Sequence, residues 1–105
     1  MKIHMTFKQM DATEALKTHV TEKSERLRKF VPEATELHWI LFVEAGSNHV
    51  ADLRASGPHI DQFAQAKTPD MYQSIDEVVD KVEKQLRKHK EILKDHLHRT
   101  RASSS

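Results

Sequence analysis

Cysteine is absent from the chain, which excludes disulfides, thiolate nucleophiles and cysteine-bound zinc or iron centres together. Glycine occurs only at positions 46 and 57, too sparse for a glycine-rich phosphate loop. No apolar run approaches the roughly 18 residues that a bilayer crossing needs, and Met1-Lys2-Ile3-His4-Met5 carries no signal-like apolar core. A cytoplasmic protein with no membrane partner is therefore expected. No nucleophile, carboxylate pair or cofactor motif can be assembled, so the sequence predicts neither an enzyme nor a bound cofactor.

What remains is polar yet patterned. The 105 residues are 37% hydrophobic and 31% charged, and the apolar ones fall into periodic segments, so one compact domain with one core is expected. A net charge of +1 conceals a gradient: residues 1–80 carry nine Lys/Arg against thirteen Asp/Glu, and residues 81–105 carry eight against three. A basic C-terminal segment on a near-neutral chain points to a polyanionic partner.

Ile3, Met5 and Phe7 alternate with polar residues as in a half-buried strand. Asp11 or Thr13 can cap a following helix, Glu14 lying at capping-box spacing from Asp11, and Leu16, Val20, Leu27 and Val31 share one arc before Pro32 ends it. Residues 35–44 form a strand with Leu37, Trp39, Leu41 and Val43 on one face and His38, Ile40 and Phe42 on the other. Turns at 45–48 and at Gly57-Pro58 then separate strands over 50–55 and 60–67. Asp70 and Gln73 open a second helix whose stripe of Met71, Ile75, Val78, Val79, Val82, Leu86 and Leu93 runs to about residue 97. The expected architecture is α+β, a β-α-β-β-β-α order with two helices on one face of a four-stranded mixed sheet, the first two strands parallel through a right-handed crossover. Residues 1–97 form the domain and 98–105 a short flexible basic and serine-rich tail.

Three features could carry function. At roughly 28 residues, ~42 Å, the second helix should overhang a seven-residue strand of ~23 Å, and its last turns carry Lys84, Arg87, Lys88, Lys90 and Lys94. With Lys23, Arg26, Arg28 and Lys29 at the end of the first helix, these cations can follow a phosphate backbone; the alternative is a solvated face with pairs such as Glu77 with Lys81 and Glu83 with Arg87. The eight histidines are scattered, only His96 and His98 lying close in sequence, and no metal site is expected. His89, within the apolar stripe, reads as a packed residue. Ile40 and Phe42, with Val50 and Phe63, are apolar on the face away from the helices, which suggests a protein contact such as weak self-association. A one-residue register shift would exchange the two faces.

The segment Asp70-Met71-Tyr72-x-x-Ile75-Asp76-x-x-x-Asp80-Lys81-x-x-x-Gln85-Leu86-x-Lys88-His89-Lys90 closely resembles the second helix of the ribosome hibernation-promoting factor family, also called sigma-54 modulation or ribosome-associated inhibitor proteins. Thr13-Glu14-Ala15-Leu16, Lys23, Arg26-Leu27 and Val43-Glu44 agree with it, and the resemblance extends to about His96. It implies the same β-α-β-β-β-α fold, similar to double-stranded RNA-binding domains. It also implies binding to ribosomal RNA of the small subunit, in the channel for messenger and transfer RNA, so that translation is inhibited. Matching positions are Lys23, Arg26, Lys81, Lys84, Arg87, Lys88 and Lys90; Arg28, Lys29 and Lys94 rest on charge and position. Ser24 stands where the family usually has an apolar residue, and Phe42 and Phe63 where polar ones are typical. The chain stops soon after the second helix, which resembles the short form that promotes inactive ribosome dimers together with a second small factor. Competing readings are a general duplex-RNA-binding module and a protein-interaction module using the open sheet face.

Overall fold

The computed structural model describes the backbone of residues 1–104 and the side chains of residues 1–89. The elements are β1 (Lys2–Lys8), α1 (Glu14–Glu25), a 3-10 turn (Arg28–Phe30), β2 (Glu36–Glu44), β3 (Asn48–Gly57), β4 (Ile60–Thr68) and α2 (Met71–Ser104). The sheet order is β1-β2-β3-β4, with β1 parallel to β2 and the other neighbours antiparallel, as expected from one long and two short connections.

Strand alternation decides which face is dry. Leu37, Trp39 and Leu41 of β2, Ala51, Leu53 and Ala55 of β3, and Ala64 and Ala66 of β4 all point to the side covered by the helices. Against them lie Leu16, Val20 and Leu27 from the α1 segment and Met71, Ile75, Val78, Val79, Val82 and Leu86 from α2, all buried. Small alanines on β3 and β4 leave room for the larger α2 side chains, a size complementarity that close packing requires. Val43, at the end of β2, is only partly covered, and the side chain of Leu93 lies outside the described residues.

Ser24 resolves an apparent mismatch within this core. Its side chain is fully buried, and its hydroxyl accepts a hydrogen bond of 3.0 Å from the indole Nε1 of Trp39. An apolar residue here would leave the buried indole donor unpaired, at a cost of about 1–3 kcal/mol. Serine and tryptophan thus form a matched pair across the helix–sheet interface.

Several local details differ from the sequence expectations. Thr13 caps α1, accepting from the Leu16 amide at 3.2 Å, so the box from Asp11 to Glu14 does not form. Helix α1 stops at Glu25, well before Pro32. Amides 26, 27 and 30 bond to carbonyls three residues back, tightening the chain into the 3-10 turn while Leu27 stays in the core. At α2, Asp70 accepts from the Tyr72 amide, but Gln73 turns toward Glu77, leaving only the capping half of that box. Helical backbone continues to Ser104 rather than ending near 97, because no proline or glycine follows Pro69.

Gly57 closes β3 where the chain approaches Thr35: a Cβ there would sit 2.7 Å from Thr35 Oγ1 and 2.9 Å from its Cα. Glycine is the residue that fits without displacing backbone. Pro58 then sets one turn residue and His59 takes the positive φ of 62°, a type II pattern that returns the chain into β4.

Candidate nucleic-acid interface

The two helices lie side by side, and their seam gathers charged side chains from both. His19 Nε2 lies 2.7 Å from Asp76, and Lys23 reaches the same carboxylate at 3.7 Å. Arg26 bonds to Asp80 at 2.9 Å and lies 3.4 Å from Glu83, and Arg87 approaches Glu83 at 3.6 Å. Asp76, Asp80, Glu83 and Arg87 occupy one flank of α2 because they recur at the i, i+4, i+7, i+11 spacing of a helical stripe. The partners on α1 and its C-cap lie 53 to 57 positions away in sequence, so the seam ties the helices together.

The expected cations therefore fall into distinct groups. Lys23, Arg26 and Arg87 meet at the seam and are each paired with acid. Arg28, on the 3-10 turn, is held by Glu25 at 2.8 Å and approaches Glu33 at 3.4 Å. The hydrogen bond from Arg28 keeps the Glu25 carboxyl below the usual carboxylate range. Lys29 and Arg87 each lie over the Phe30 ring, at 5.3 and 5.4 Å from its centre, so the turn carries an aromatic ring with two cations in cation–π range. Lys81 faces the opposite flank and donates to the Gln65 carbonyl at 2.8 Å, which removes it from the expected pair with Glu77. Lys84 and Lys88 are exposed and make no ion pair among the described residues. The side chains of Lys90 and Lys94 lie outside the described residues.

Exposed ion pairs contribute about 0–1 kcal/mol, so the seam carboxylates do not lock their cations away from a phosphate. They do reduce the net positive field there. Among the described residues, positive charge without an ion-pair partner lies instead on Lys84 and Lys88, along the turns of α2 that approach the end of the sheet. At 34 residues, ~51 Å, α2 outruns a ten-residue strand of ~33 Å. Leu86 is the last fully buried side chain described on it, so the following turns lie where the core has ended.

A family model described as Sigma 54 modulation protein / S30EA ribosomal protein matches residues 3–94. The chain belongs to this family. It is 37% identical over 92 residues to a ribosome hibernation promoting factor of Azotobacter vinelandii, covering 87% of this chain and 84% of the relative. It is 36% identical over 98 residues to the factor of that name from Escherichia coli K12, covering 91% of this chain and 100% of the relative. A ribosomal subunit interface protein from Coxiella burnetii has the same fold, with a TM-score of 0.74 at 29% identity over 86% of this chain and 98% of the other. The N-terminal domain of Thermus thermophilus Protein Y shares the fold at a TM-score of 0.76 and 21% identity, over 84% and 98% of the two chains.

On the sheet face without helices, Phe42 is half-buried and Phe63 is 50% exposed. Val50 shares that face but is fully buried, flanked across the strands by Phe42 and Lys67, and so offers no exposed apolar surface. His89 is half-buried beside Phe30, Pro32, Ile60 and Leu86, in agreement with a packed histidine. The seam carboxylates were missed in sequence as partners of the basic residues, although their helical spacing was visible. A second group was also missed: the fold brings His4, His38 and Glu36 together on the open sheet face.

Proposed function

We propose that this protein is a ribosome hibernation factor that binds ribosomal RNA of the small subunit in the messenger and transfer RNA channel. Occupying that channel would inhibit translation and favour inactive ribosome dimers. The carrying observation is the cationic surface of α2 at Lys84 and Lys88, which form no ion pair among the described residues, in a chain whose relatives are named for ribosome hibernation and the subunit interface. Lys81 and Arg87 extend the surface along α2, Lys90 and Lys94 are assigned to it from sequence, and Lys23, Arg26, Arg28 and Lys29 border it from the α1 side. RNA phosphates replace the seam carboxylates as partners when they dock. The role is binding rather than catalysis, in the cytoplasm, and residues 1–97 form the binding unit.

Co-sedimentation with separated subunits tests this reading. The protein is expected to pellet with small subunits, to be displaced by transfer RNA and messenger, and to pellet poorly with large subunits. Equal affinity for a free RNA duplex would instead support a general duplex-RNA-binding module.

A second reading, weak self-association through the open sheet face, is favoured by Ile40 and Phe42 being only half-buried there and by the exposed Phe63. Light scattering over a wide concentration range should then show a rising mean mass. Charged neighbours including Lys8, Asp52 and Lys67 keep that contact weak. A mass that stays monomeric up to millimolar concentration removes this reading.

A further inference from the structure

The parallel pairing of β1 with β2 sets Lys2 beside Glu36 and His4 beside His38, all on the face that the helices leave open. The two imidazole rings stack with centres 4.7 Å apart and planes 6° from parallel. His4 Nε2 lies 2.7 Å from Glu36 Oε1, and one ligand atom from each of the three residues falls within 4.8 Å of the others. Residues 32 to 34 positions apart in sequence thus bring two ring nitrogens and a carboxylate oxygen within one small volume.

We propose that His4, His38 and Glu36 form a binding site for a divalent transition-metal ion, with zinc as the ion its donors suit. Two imidazoles and one carboxylate are a donor set that zinc takes when three protein ligands leave a fourth position open. Ligand bonds of about 2.0–2.2 Å place donor atoms roughly 3.3 Å apart in a tetrahedral arrangement. His4 Nε2 and Glu36 Oε1, 2.7 Å apart, open slightly to reach that spacing, and donor atoms as much as 4.8 Å apart close to it. His χ2 is a broad torsion, so each exposed ring can turn its in-plane lone pair toward the common centre without a rotamer change. The strand backbones hold the three Cα positions, leaving only these side-chain adjustments to be made.

The nearby cations do not block the site. Arg54, which pairs with His38 across β2 and β3, is engaged by Asp61 at 2.9 Å, and Lys2 is an exposed chain free to swing into water. The remaining coordination positions face solvent and would hold water. Because β1 and β2 are joined only through the long α1 crossover, a bound ion would clip the edge strand to the sheet and exist only in the folded chain.

The test is a titration of zinc chloride into metal-free full-length protein, followed by calorimetry, backbone amide NMR and thermal melting. One equivalent should bind, with resonance shifts concentrated around residues 4, 36 and 38 and a raised melting temperature. The double variant His4→Gln, His38→Gln should weaken binding at least about tenfold and abolish the melting shift. Both side chains are exposed, so circular dichroism should report an unchanged fold. The control His96→Gln, His98→Gln should bind as the parent does. Unchanged affinity in the first variant, loss of binding in the control, or no binding by the parent at 1 equivalent in the micromolar range (roughly 10–100 µM) each overturns the site.

Discussion

Replacing Leu86 with alanine is expected to destabilise the folded chain by about 2–5 kcal/mol, the range for a leucine truncated in a rigid core. Leu86 is 1% exposed and belongs to the same core as Trp39, Leu53 and Val82. It lies beside Phe30 and Val31 at the end of the 3-10 turn and Ile60 of β4, segments held by the sheet and the core that cannot collapse far into the space left behind. For a domain of this size, that loss is a large fraction of a total stability of about 5–15 kcal/mol, and each kcal/mol lowers the melting temperature by about 4–8 °C. Trp39, the single tryptophan, is buried in this core and reports unfolding by fluorescence in a urea titration. A loss below about half a kcal/mol would mean that this face of α2 is not part of the rigid core.

The features of this molecule that could be read in sequence are those fixed by short-range periodicity. The alternation of Leu37, Trp39 and Leu41 and the stripe from Met71 to Leu86 depend on residues two to four apart, and both give the correct buried face. Pairings at long range were not legible in the same way. Nothing near Arg26 in sequence announces Asp80, and nothing near Ser24 announces the Trp39 indole. Alternation places His4 and His38 each on an outward position, on strands that the crossover makes parallel. Register was the missing quantity, since a shift of two residues keeps both facing outward while separating them by ~7 Å. Val50 shows the opposite limit: its face was legible, but its burial depends on the bulk of Phe42 and Lys67 on neighbouring strands. For the basic surface, sequence identified the cations but not their partners, and the partners determine which charges remain available to a phosphate.

That distinction shapes the expected outcome of replacing Lys84, Arg87, Lys88 and Lys90 together with glutamine. Binding to small ribosomal subunits should weaken markedly, and the slope of log affinity against log salt should fall by about 0.7–0.9 for each phosphate that is no longer neutralised, roughly 3 if all four side chains reach one. Lys84 and Lys88 should contribute fully, since neither forms an ion pair among the described residues. Arg87 shares Glu83 with Arg26 and also lies over Phe30, so its removal lets Glu83 strengthen its hold on Arg26 and reduces the positive field at the seam as well. The fold should survive, because Lys84, Arg87 and Lys88 are exposed and glutamine keeps length, polarity and helix propensity. Circular dichroism and the Trp39 emission would verify that point before binding is compared. If the basic face of α2 is merely solvated, neither affinity nor salt slope will move, and the assignment of this helix to RNA fails. If affinity falls but the slope does not, the four side chains act through shape or hydrogen bonding rather than counterion release, and the electrostatic account of the interface is wrong.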